Sequence, residues 1–481
     1  MTDSSAARFQ FIGHALAGDG PFRPTVSTDS TGSVALTSSS ALVRYPREST
    51  QKYGRRNELA FYASPLARVC SRFVGYLSAR PPAREPGHEL YESMIEDIDG
   101  KGNAIDVFFS AFEMEAKARG TMLLLVDMPP AVPQTLGAQV AQRAAPYWTV
   151  IRPELLTDYQ VGDDGRFDFA EFSGNWTAAD GKRVPCTWHF DRSSWEARDK
   201  EDVVLASGDH PLGECPLLIF TESSEFPCFG TFSAVADLSR RLFNLDSELD
   251  EILRSQTFSL LTMQVPDEST DAAKLKAAQV AGETIGTSNL MVHSGSTPAF
   301  IAPPDGPARV YMERIKDIRA QIDEIGLVIS QPNQVESGVA MQMRFQALNG
   351  QLAYFASRME DLERRAWDLS RRWLGMTSAP TVQWLRDFNL ADVENELKVL
   401  ADMQATNMPS EVLVEQQHRI VSVQFAGLDQ EKQGELSEAI DEQLLEPDVP
   451  ANVVPLRPAD PDAELRQALV ARMRGSAGGA A

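Results

Sequence analysis

The sequence predicts an α+β protein, in which a mixed half precedes a half made of long helices. Two observations support this prediction. Residues 147–220 contain short runs of aromatic and β-branched residues separated by turn signals, which is typical of antiparallel strands. After Gly230 the apolar residues recur at steps of three and four, the spacing of a helix with one buried face. The 481 residues are enough for two to four domains of about 100–200 residues each.

The composition excludes several classes of protein. Hydrophobic residues make up 43% and charged residues 23%, a globular balance that excludes disorder of the whole chain and fibrous proteins. No apolar run approaches the roughly 20 residues of a membrane-spanning helix, and the first residues do not resemble a signal peptide. We therefore expect a soluble protein that is not exported. The net charge of −23 disfavours a protein that coats DNA, because phosphate binding depends on Lys and Arg.

Cysteine and histidine usage predicts neither a disulfide framework nor a metal site. The four cysteines are scattered without CxxC spacing, which favours a reducing cytoplasm. His88 and Glu92 are four residues apart, but no second histidine completes an HExxH motif, and we interpret them as a surface helix turn. The phosphate-loop, GxGxxG and GxSxG motifs are absent from the sequence. We predict no catalytic residues, no metal, no cofactor and no enzymatic activity.

The first 80 residues predict an arm and a helix. Residues 1–40 are rich in Ser, Thr, Gly and Ala with little periodicity, which predicts a flexible N-terminal arm. Apolar residues from Leu59 to Leu77 recur at helical spacing and predict one amphipathic helix that ends before Pro81.

The mixed half continues with a helix, a buried strand and a meander. A helix is predicted over 105–119, ended by Gly120, and the apolar run 121–127 directly after it has the length of a strand. The short runs within 147–220 are separated by turn signals such as Gly162 to Gly165. They predict one antiparallel meander built from hairpins.

Two helices with one apolar stripe each follow, with an insert between them. The first is predicted over 232–255 and the second over 311–330. The insert, 259–304, is punctuated by Pro and Gly and contains short strand-like pieces. The stripes give each helix a side that must be covered by another element.

The longest regular pattern follows a predicted loop at 331–337. From Met341 to Trp373 the apolar residues alternate at steps of four and three without a miss, which predicts a helix of roughly 35 residues and about 50 Å. Such a helix either crosses a large assembly or packs in a hairpin with preceding helices of its own chain, and the pattern leaves both open. The central residues of this seam are Leu348, Leu352, Phe355, Met359 and Leu362.

Shorter elements end the chain. Three amphipathic helices are predicted over 390–403, 409–423 and 430–445. A Pro-rich segment and a Gly/Ala end follow, which predicts a flexible C-terminal tail from residue 447 onward.

Residues 324–348 combine a helix end, a loop and the start of the long helix. The loop runs into Ser337-Gly338-Val339-Ala340. This arrangement resembles the portal proteins of tailed bacteriophages, in which a helix ends in a loop with a Ser-Gly-x-Ala stretch before a long helix. The order of the upstream elements is similar too, so the resemblance in architecture extends over about residues 50–425.

The resemblance implies a portal-like ring subunit with a mixed α/β wing, two stem helices, a small clip insert, a tunnel loop, a long heptad-patterned wing helix and a helical crown. The implied boundaries are 1–40 for the flexible arm, 41–231 for the wing, 232–256 for the first stem helix, 257–304 for the clip, 305–330 for the second stem helix, 331–338 for the tunnel loop, 339–375 for the long helix, 376–446 for the crown and 447–481 for the flexible tail.

The resemblance also implies a function and partners. A portal protein forms a ring, here expected to be a homo-oligomer of twelve subunits, at one capsid vertex, and double-stranded DNA is packaged and ejected through it. The implied partners are the large terminase, the head–tail adaptor and the major capsid protein. The implied location is the virion, after assembly in the cytoplasm of the bacterial host.

The predicted channel residues lie on the loop and on the second stem helix. Glu336 and Gln334 are expected to face the DNA, because one acid among neutral polar residues permits contact without strong phosphate binding. The predicted loop residues are Gln331, Pro332, Asn333, Gln334, Val335, Glu336 and Ser337. The predicted channel-facing stem residues are Glu313, Lys316, Asp317 and Glu324.

Two other interpretations stay open on the sequence. One is an acidic cytoplasmic homo-oligomeric enzyme with an unrecognised pocket in the α+β half. The other is a different head–tail or baseplate scaffold protein. The mass of the assembled particle separates the ring from the enzyme, because a ring is expected near twelve subunits whereas a stable monomer or dimer would favour the enzyme.

Overall fold

The computed structural model forms two compact units, Met1–Asn389 and Leu390–Ala481. The residues that the structure describes are 3–24, 26–28, 34–36, 40–79, 81–129, 144–178, 181–257, 260–264, 290–293, 299–301, 306–327, 338–386, 388, 393–406, 408–424, 434 and 436–441. The predicted C-terminal tail, 447–481, lies outside these residues.

Runs of strands and runs of helices follow one another in the first unit, as in an α+β chain. The described helices are α1 (Asp3–Ala17), α2 (Thr50–Leu59), α3 (Pro65–Leu77), α4 (Glu89–Glu96), α5 (Ile105–Arg119), α6 (Ser233–Thr257), α7 (Gly306–Ile325), α8 (Gly338–Leu374), α9 (Val393–Ala405) and α10 (Ser410–Gln424). The described strands are β1 (Val26–Thr28), β2 (Val34–Leu36), β3 (Ala83–Glu85), β4 (Thr121–Asp127), β5 (Tyr147–Ile151), β6 (Leu156–Val161), β7 (Phe167–Thr177), β8 (Arg183–Phe190), β9 (Ser194–Arg198), β10 (Val204–Asp209), β11 (Leu217–Thr221), β12 (Leu260–Gln264), β13 (Leu290–His293), β14 (Ala299–Ile301) and β15 (Thr381–Gln383).

The N-terminal segment is not a flexible arm over its whole length, so this prediction is wrong for α1. Phe9, Ile12 and Ala15 of this helix are fully buried, and the ring of Phe9 lies 4.7 Å from that of Phe229. Arg8 pairs with Asp237 of α6 at 2.6 Å. Because residues 1–40 are rich in small polar residues, the apolar face of α1 was not recognised from the sequence. That face packs in the core.

Phe9→Ala is therefore expected to destabilise the protein. Removing a buried phenylalanine costs about 3–5 kcal/mol through lost transfer energy and the cavity left behind. Urea denaturation followed by circular dichroism measures this change. Phe61→Ala is the matched control, because Phe61 is 78% exposed and its loss should change the unfolding free energy by about 0.5 kcal/mol at most. Equal stability of wild type and Phe9→Ala would support a flexible arm.

The single helix predicted from Leu59 to Leu77 is two helices. α2 ends at Leu59 and α3 begins at Pro65, where proline is favoured because its missing N–H is not needed in the first turn. Ser64 directly before it has a φ of 46°, in the left-handed region. The apolar spacing continues across the break, which explains why the sequence suggested one helix.

A three-stranded antiparallel sheet with the order β11-β4-β5 forms the centre of the first unit. β4, the predicted buried strand, is buried from Thr121 to Val126 because it lies between two other strands and has both faces covered. α5, at the predicted position, precedes it directly and ends at Gly120.

The meander predicted over 147–220 divides between two sheets. The strands β6 to β10 form one antiparallel sheet in sequence order, as the turn signals predict. β5 and β11, at the ends of the predicted meander, pair with β4 instead. A buried central strand needs partners on both edges for its N–H and C=O groups, and this requirement is not visible in local periodicity.

The long helices lie close to their predicted positions. α6, α7 and α8 correspond to the patterns at 232–255, 311–330 and 339–375, and α7 begins five residues earlier than its apolar pattern indicates. Between α6 and α7, β12 pairs parallel with β13 and antiparallel with β14. The main hydrophobic core joins α8 with α3, α5 and the faces of β4 and β11.

The second unit contains α9 and α10, which pack against each other. Residues 436–441 are helical and overlap the third helix predicted after Gly375. Among the described residues, no helix combines the length and the apolar character that crossing a membrane requires.

Candidate functional site

The predicted stem corresponds to α6 and α7. Just before α6 begins, the backbone contacts the C-terminal end of α5. Gly120 ends α5 with a φ of 84°. Gly230 donates its backbone N–H to the Arg119 carbonyl at 2.8 Å. A Cβ atom on Gly120 would lie 2.0 Å from the Gly230 nitrogen, so this contact requires glycine.

Lys117 fixes the start of α6 from inside the core. Its side chain is buried, and its ammonium group contacts the Glu222 carboxylate and lies 3.1 Å from Thr231 Oγ1. The ammonium group also lies 4.4 Å and 4.5 Å from the ring centres of Phe73 and Phe232. A buried cation needs this compensation because its desolvation is costly. The same contacts connect α3, α5 and the residues that lead into α6.

The two helices pair within one chain along the predicted apolar stripe. Ile315, Ile318 and Ile322 of α7 are buried, and α7 packs against α6. Beside this stripe, Arg319 of α7 lies 3.7 Å from Asp246 of α6. Burial raises the pKa of Asp246, and the Arg319 cation opposes the rise.

The opposite side of α7 carries all four residues predicted to face a channel. Glu313, Lys316, Asp317 and Glu324 are exposed. Lys316 and Asp317 follow Glu313 by three and four residues, and Glu324 follows Asp317 by seven, so all four lie on one side of the helix. Over its whole length α7 has four basic and four acidic residues. The four predicted residues present three carboxylates and one ammonium group, a net charge of −2, although α7 as a whole is neutral. The assignment of this side to a channel stays a prediction.

The predicted tunnel loop, residues 331–337, lies outside the described residues, so the roles of Gln334 and Glu336 stay predictions. The described chain leads up to it at the end of α7. A Cβ atom on Gly326 would lie 2.9 Å from Val69 Cγ1 of α3. The end of α7 is therefore held against α3, and the described chain resumes at Gly338, where α8 begins.

The predicted seam of α8 packs within the chain. Leu348, Leu352, Phe355, Met359 and Leu362 are buried within the single chain. The long helix packs on α3, β4 and β11, not in a hairpin with the helices before it. Of the two alternatives that the pattern left open, the burial of these five residues fits packing within the chain, but the covering elements are α3 and the central sheet.

Sequence reasoning missed a buried ion pair that joins α8 to β3. The Glu363 side chain is 0% exposed and accepts a hydrogen bond from Arg84 Nε at 2.6 Å. It also accepts from Trp384 Nε1 at 2.8 Å and Trp367 Nε1 at 3.2 Å. A signal was available, because Glu363 is four residues after Met359 and thus on the buried side of the helix.

His88 and Glu92 belong to a surface helix turn, as predicted. His88 Nδ1 accepts a hydrogen bond from the Leu90 backbone N–H at 3.1 Å and caps α4. Over the described residues, no group of three or more His, Cys, Asp or Glu side chains is arranged to hold a metal ion.

The acidic residues are unevenly distributed along the chain. Between residues 390 and 446 there are thirteen Asp and Glu residues against three Lys and Arg residues. This segment alone has a net charge of −10, a disproportionate share of the total of −23. The second unit is thus the more acidic for its length, and α7 has no net charge.

The sequence matches no protein-family model and no curated protein. Among solved structures, it is similar to a chain in the virion of a native gene transfer agent particle, with 13% identity, a TM-score of 0.43 and coverage of 85% of this chain and 98% of that one. It is also similar to a chain in the neck of the native particle computed with C12 symmetry, with 12% identity, a TM-score of 0.39 and coverage of 71% and 86%.

A third similar structure is an HK97-family phage portal protein from Corynebacterium diphtheriae. The identity is 9%, the TM-score is 0.34, and the alignment covers 68% of this chain and 96% of that one. The chain is thus similar to a solved phage portal protein. All three TM-scores are below 0.5, so the proposed function rests on the residues and contacts of the chain itself.

Proposed function

We propose that the chain is the subunit of a phage portal, a non-enzymatic ring at one capsid vertex through which double-stranded DNA is packaged and ejected. The arrangement of α6 and α7 carries this proposal. The pair is joined to α3 and α5 through buried Lys117, encloses the insert β12–β14 in sequence, and has an exposed side on which three carboxylates outnumber one ammonium group.

A face with an excess of negative charge suits a surface past which DNA moves. Tight binding to DNA arises when cations of the protein displace the counterions of the phosphates. The exposed side of α7 offers one ammonium group against three carboxylates, so it can contact the duplex without net attraction. A channel needs this property because the DNA must pass in both directions.

In this proposal each part of the chain has one role in the ring. The first unit up to residue 231 is the wing, with α8 as its long helix. α6 and α7 are the stem, β12 to β14 belong to the clip, residues 331–337 form the tunnel loop and the second unit is the crown. The clip would dock the large terminase during packaging and the head–tail adaptor afterwards, and the ring would contact the major capsid protein.

Mass photometry of the purified chain tests ring formation. Twelve subunits of 52.9 kDa give 12 × 52.9 kDa, or about 635 kDa, for a closed ring. A dominant species near this mass is the expected result. A stable monomer or dimer under all assembly conditions would contradict the ring and favour the enzyme interpretation.

Reversing charge on the exposed face of α7 should make the ring retain DNA. Glu313→Lys combined with Asp317→Lys raises the net charge by four units per subunit at exposed positions, so the free energy of unfolding should change by about 0.5 kcal/mol at most. We expect rings of normal mass that bind linear duplex DNA with an affinity that falls steeply with salt concentration, whereas wild-type rings bind weakly. Electrophoretic mobility shifts at two salt concentrations measure this.

The matched control reverses two exposed acids of the first unit, Glu58→Lys with Glu201→Lys. It adds the same charge away from α7 and should retain less DNA. Equal retention by both double variants would mean that the α7 face does not line the path of the DNA.

A further inference from the structure

A small pocket opens in the first unit between α3, α5 and the segment that leads into β3. Its volume is about 190 Å³, below the roughly 300–1,000 Å³ typical of small-molecule sites, and it has room for a single side chain. The apolar part of its wall consists of Leu77, Pro81, Pro82, Val107, Phe109 and Trp384. Val107 is 60% exposed, so the apolar wall reaches the surface.

Two acidic side chains belong to the polar part of the pocket. Glu113 and Asp106 line it, with Arg84, Ser78 and Ser110. Arg84 is already engaged, because it donates to Asp106 at 2.6 Å and to the buried Glu363 at 2.6 Å. With Glu113 ionised, the pocket would thus hold two carboxylates against one guanidinium group, which Glu363 behind the wall also neutralises.

Among the described residues, no cation forms an ion pair with Glu113. Its side chain is buried and accepts a hydrogen bond from Ser78 Oγ at 3.3 Å. The pKa of Glu113 is raised to about 8, chiefly by burial; Asp106 and Glu363 contribute to the rise, whereas Ser78 and Arg84 oppose it. At pH 7 this carboxyl group therefore keeps its proton. An incoming cation would supply the partner that makes the ionised form favourable.

We propose that this pocket receives a lysine or arginine side chain of a partner protein, with the cation on Glu113. The methylene stem would lie along Phe109 and Trp384, since long basic side chains cover apolar surface with their stems. When the cation enters, Glu113 releases its proton to the solvent and a salt bridge forms. The proposal does not depend on the portal function, because the pocket is complete in one subunit.

Titration calorimetry of the full chain with n-butylguanidinium, which mimics an arginine side chain, tests this proposal. We expect saturable binding at pH 7, at least about tenfold tighter than for the neutral isostere n-butylurea, because a charge-assisted hydrogen bond is lost with the isostere. Repeating the titration in buffers of different ionisation enthalpy counts protons, and release of close to one proton per bound cation is expected.

Glu113→Gln keeps the shape of the side chain and removes the charge, so it should abolish the proton release and weaken binding about tenfold. Glu92→Gln, at an exposed position of α4, should behave as wild type. The comparison with butylurea uses the unaltered chain and stays valid if Glu113→Gln does not fold. Equal binding of the cation and its isostere, or binding without proton release, would overturn the proposal.

Discussion

Leu352→Asp is expected to prevent folding of the chain itself, and not only the assembly of subunits. Leu352 is 2% exposed in the middle of α8. Placing a carboxylate there removes about 2–5 kcal/mol of apolar packing and adds the penalty of a buried charge without a partner. Together these terms approach the total stability of a typical domain, about 5–15 kcal/mol.

The folded fraction of Leu352→Asp is measured by circular dichroism and urea denaturation of the soluble protein. Tyr354→Asp is the matched control, because Tyr354 lies on the same helix and is 52% exposed. It should fold with nearly wild-type stability. A well-folded Leu352→Asp monomer that fails to assemble would instead support a seam between subunits.

Arg84→Met is the second substitution with a large expected effect. It leaves the Glu363 carboxylate buried with only the two indole N–H groups of Trp367 and Trp384 as donors. Removing one partner of a buried ion pair typically costs about 3–5 kcal/mol, because the remaining charge is uncompensated. We expect a loss of this size in the free energy of unfolding measured in urea.

A double-mutant cycle distinguishes loss of the charge pair from loss of packing. Arg84→Met combined with Glu363→Met should be more stable than Arg84→Met alone, because no buried charge is left without a partner. Arg364→Met is the control for an exposed pair, since Arg364 and Asp361 are 70% and 53% exposed, and it should cost less than about 1 kcal/mol. Additive effects of the two Met substitutions would contradict a coupled pair.

The sequence predicted the long helices well because their apolar residues repeat over many turns. The pattern from Met341 to Trp373 corresponds to α8, Gly338–Leu374. The same periodicity could not indicate which element covers the buried face. It suggested neighbouring helices or another subunit, whereas the face packs on α3 and the central sheet. Spacing thus identifies a helix and its buried side, and the partner depends on the tertiary fold.

Composition and local pattern failed where long-range contacts decide the structure. α1 lies in a segment rich in small polar residues, and its burial depends on contacts such as that between Phe9 and Phe229. The division of the predicted meander depends on the pairing of β4 with β5 and β11. Neither contact is encoded in neighbouring residues, so window-based reasoning could not find them.

The candidate site was predicted only in part. Helical spacing alone was enough to predict the exposed side of α7, including Glu313 and Asp317. The Lys117 contacts were not predicted, because a lysine in a helix is more often solvated than buried. The net charge is shared unevenly along the chain, since residues 390–446 contribute −10 of the −23 and α7 is neutral overall.

Electron cryo-microscopy of the assembled chain measures most directly whether it forms a channel for DNA. We expect a closed ring with an open axial path, in which Glu313 and Asp317 of every subunit face the axis and residues 331–337 lie at the narrowest point. A particle without an axial path, or a ring in which the charged side of α7 is covered by a neighbouring subunit, would contradict the proposed function.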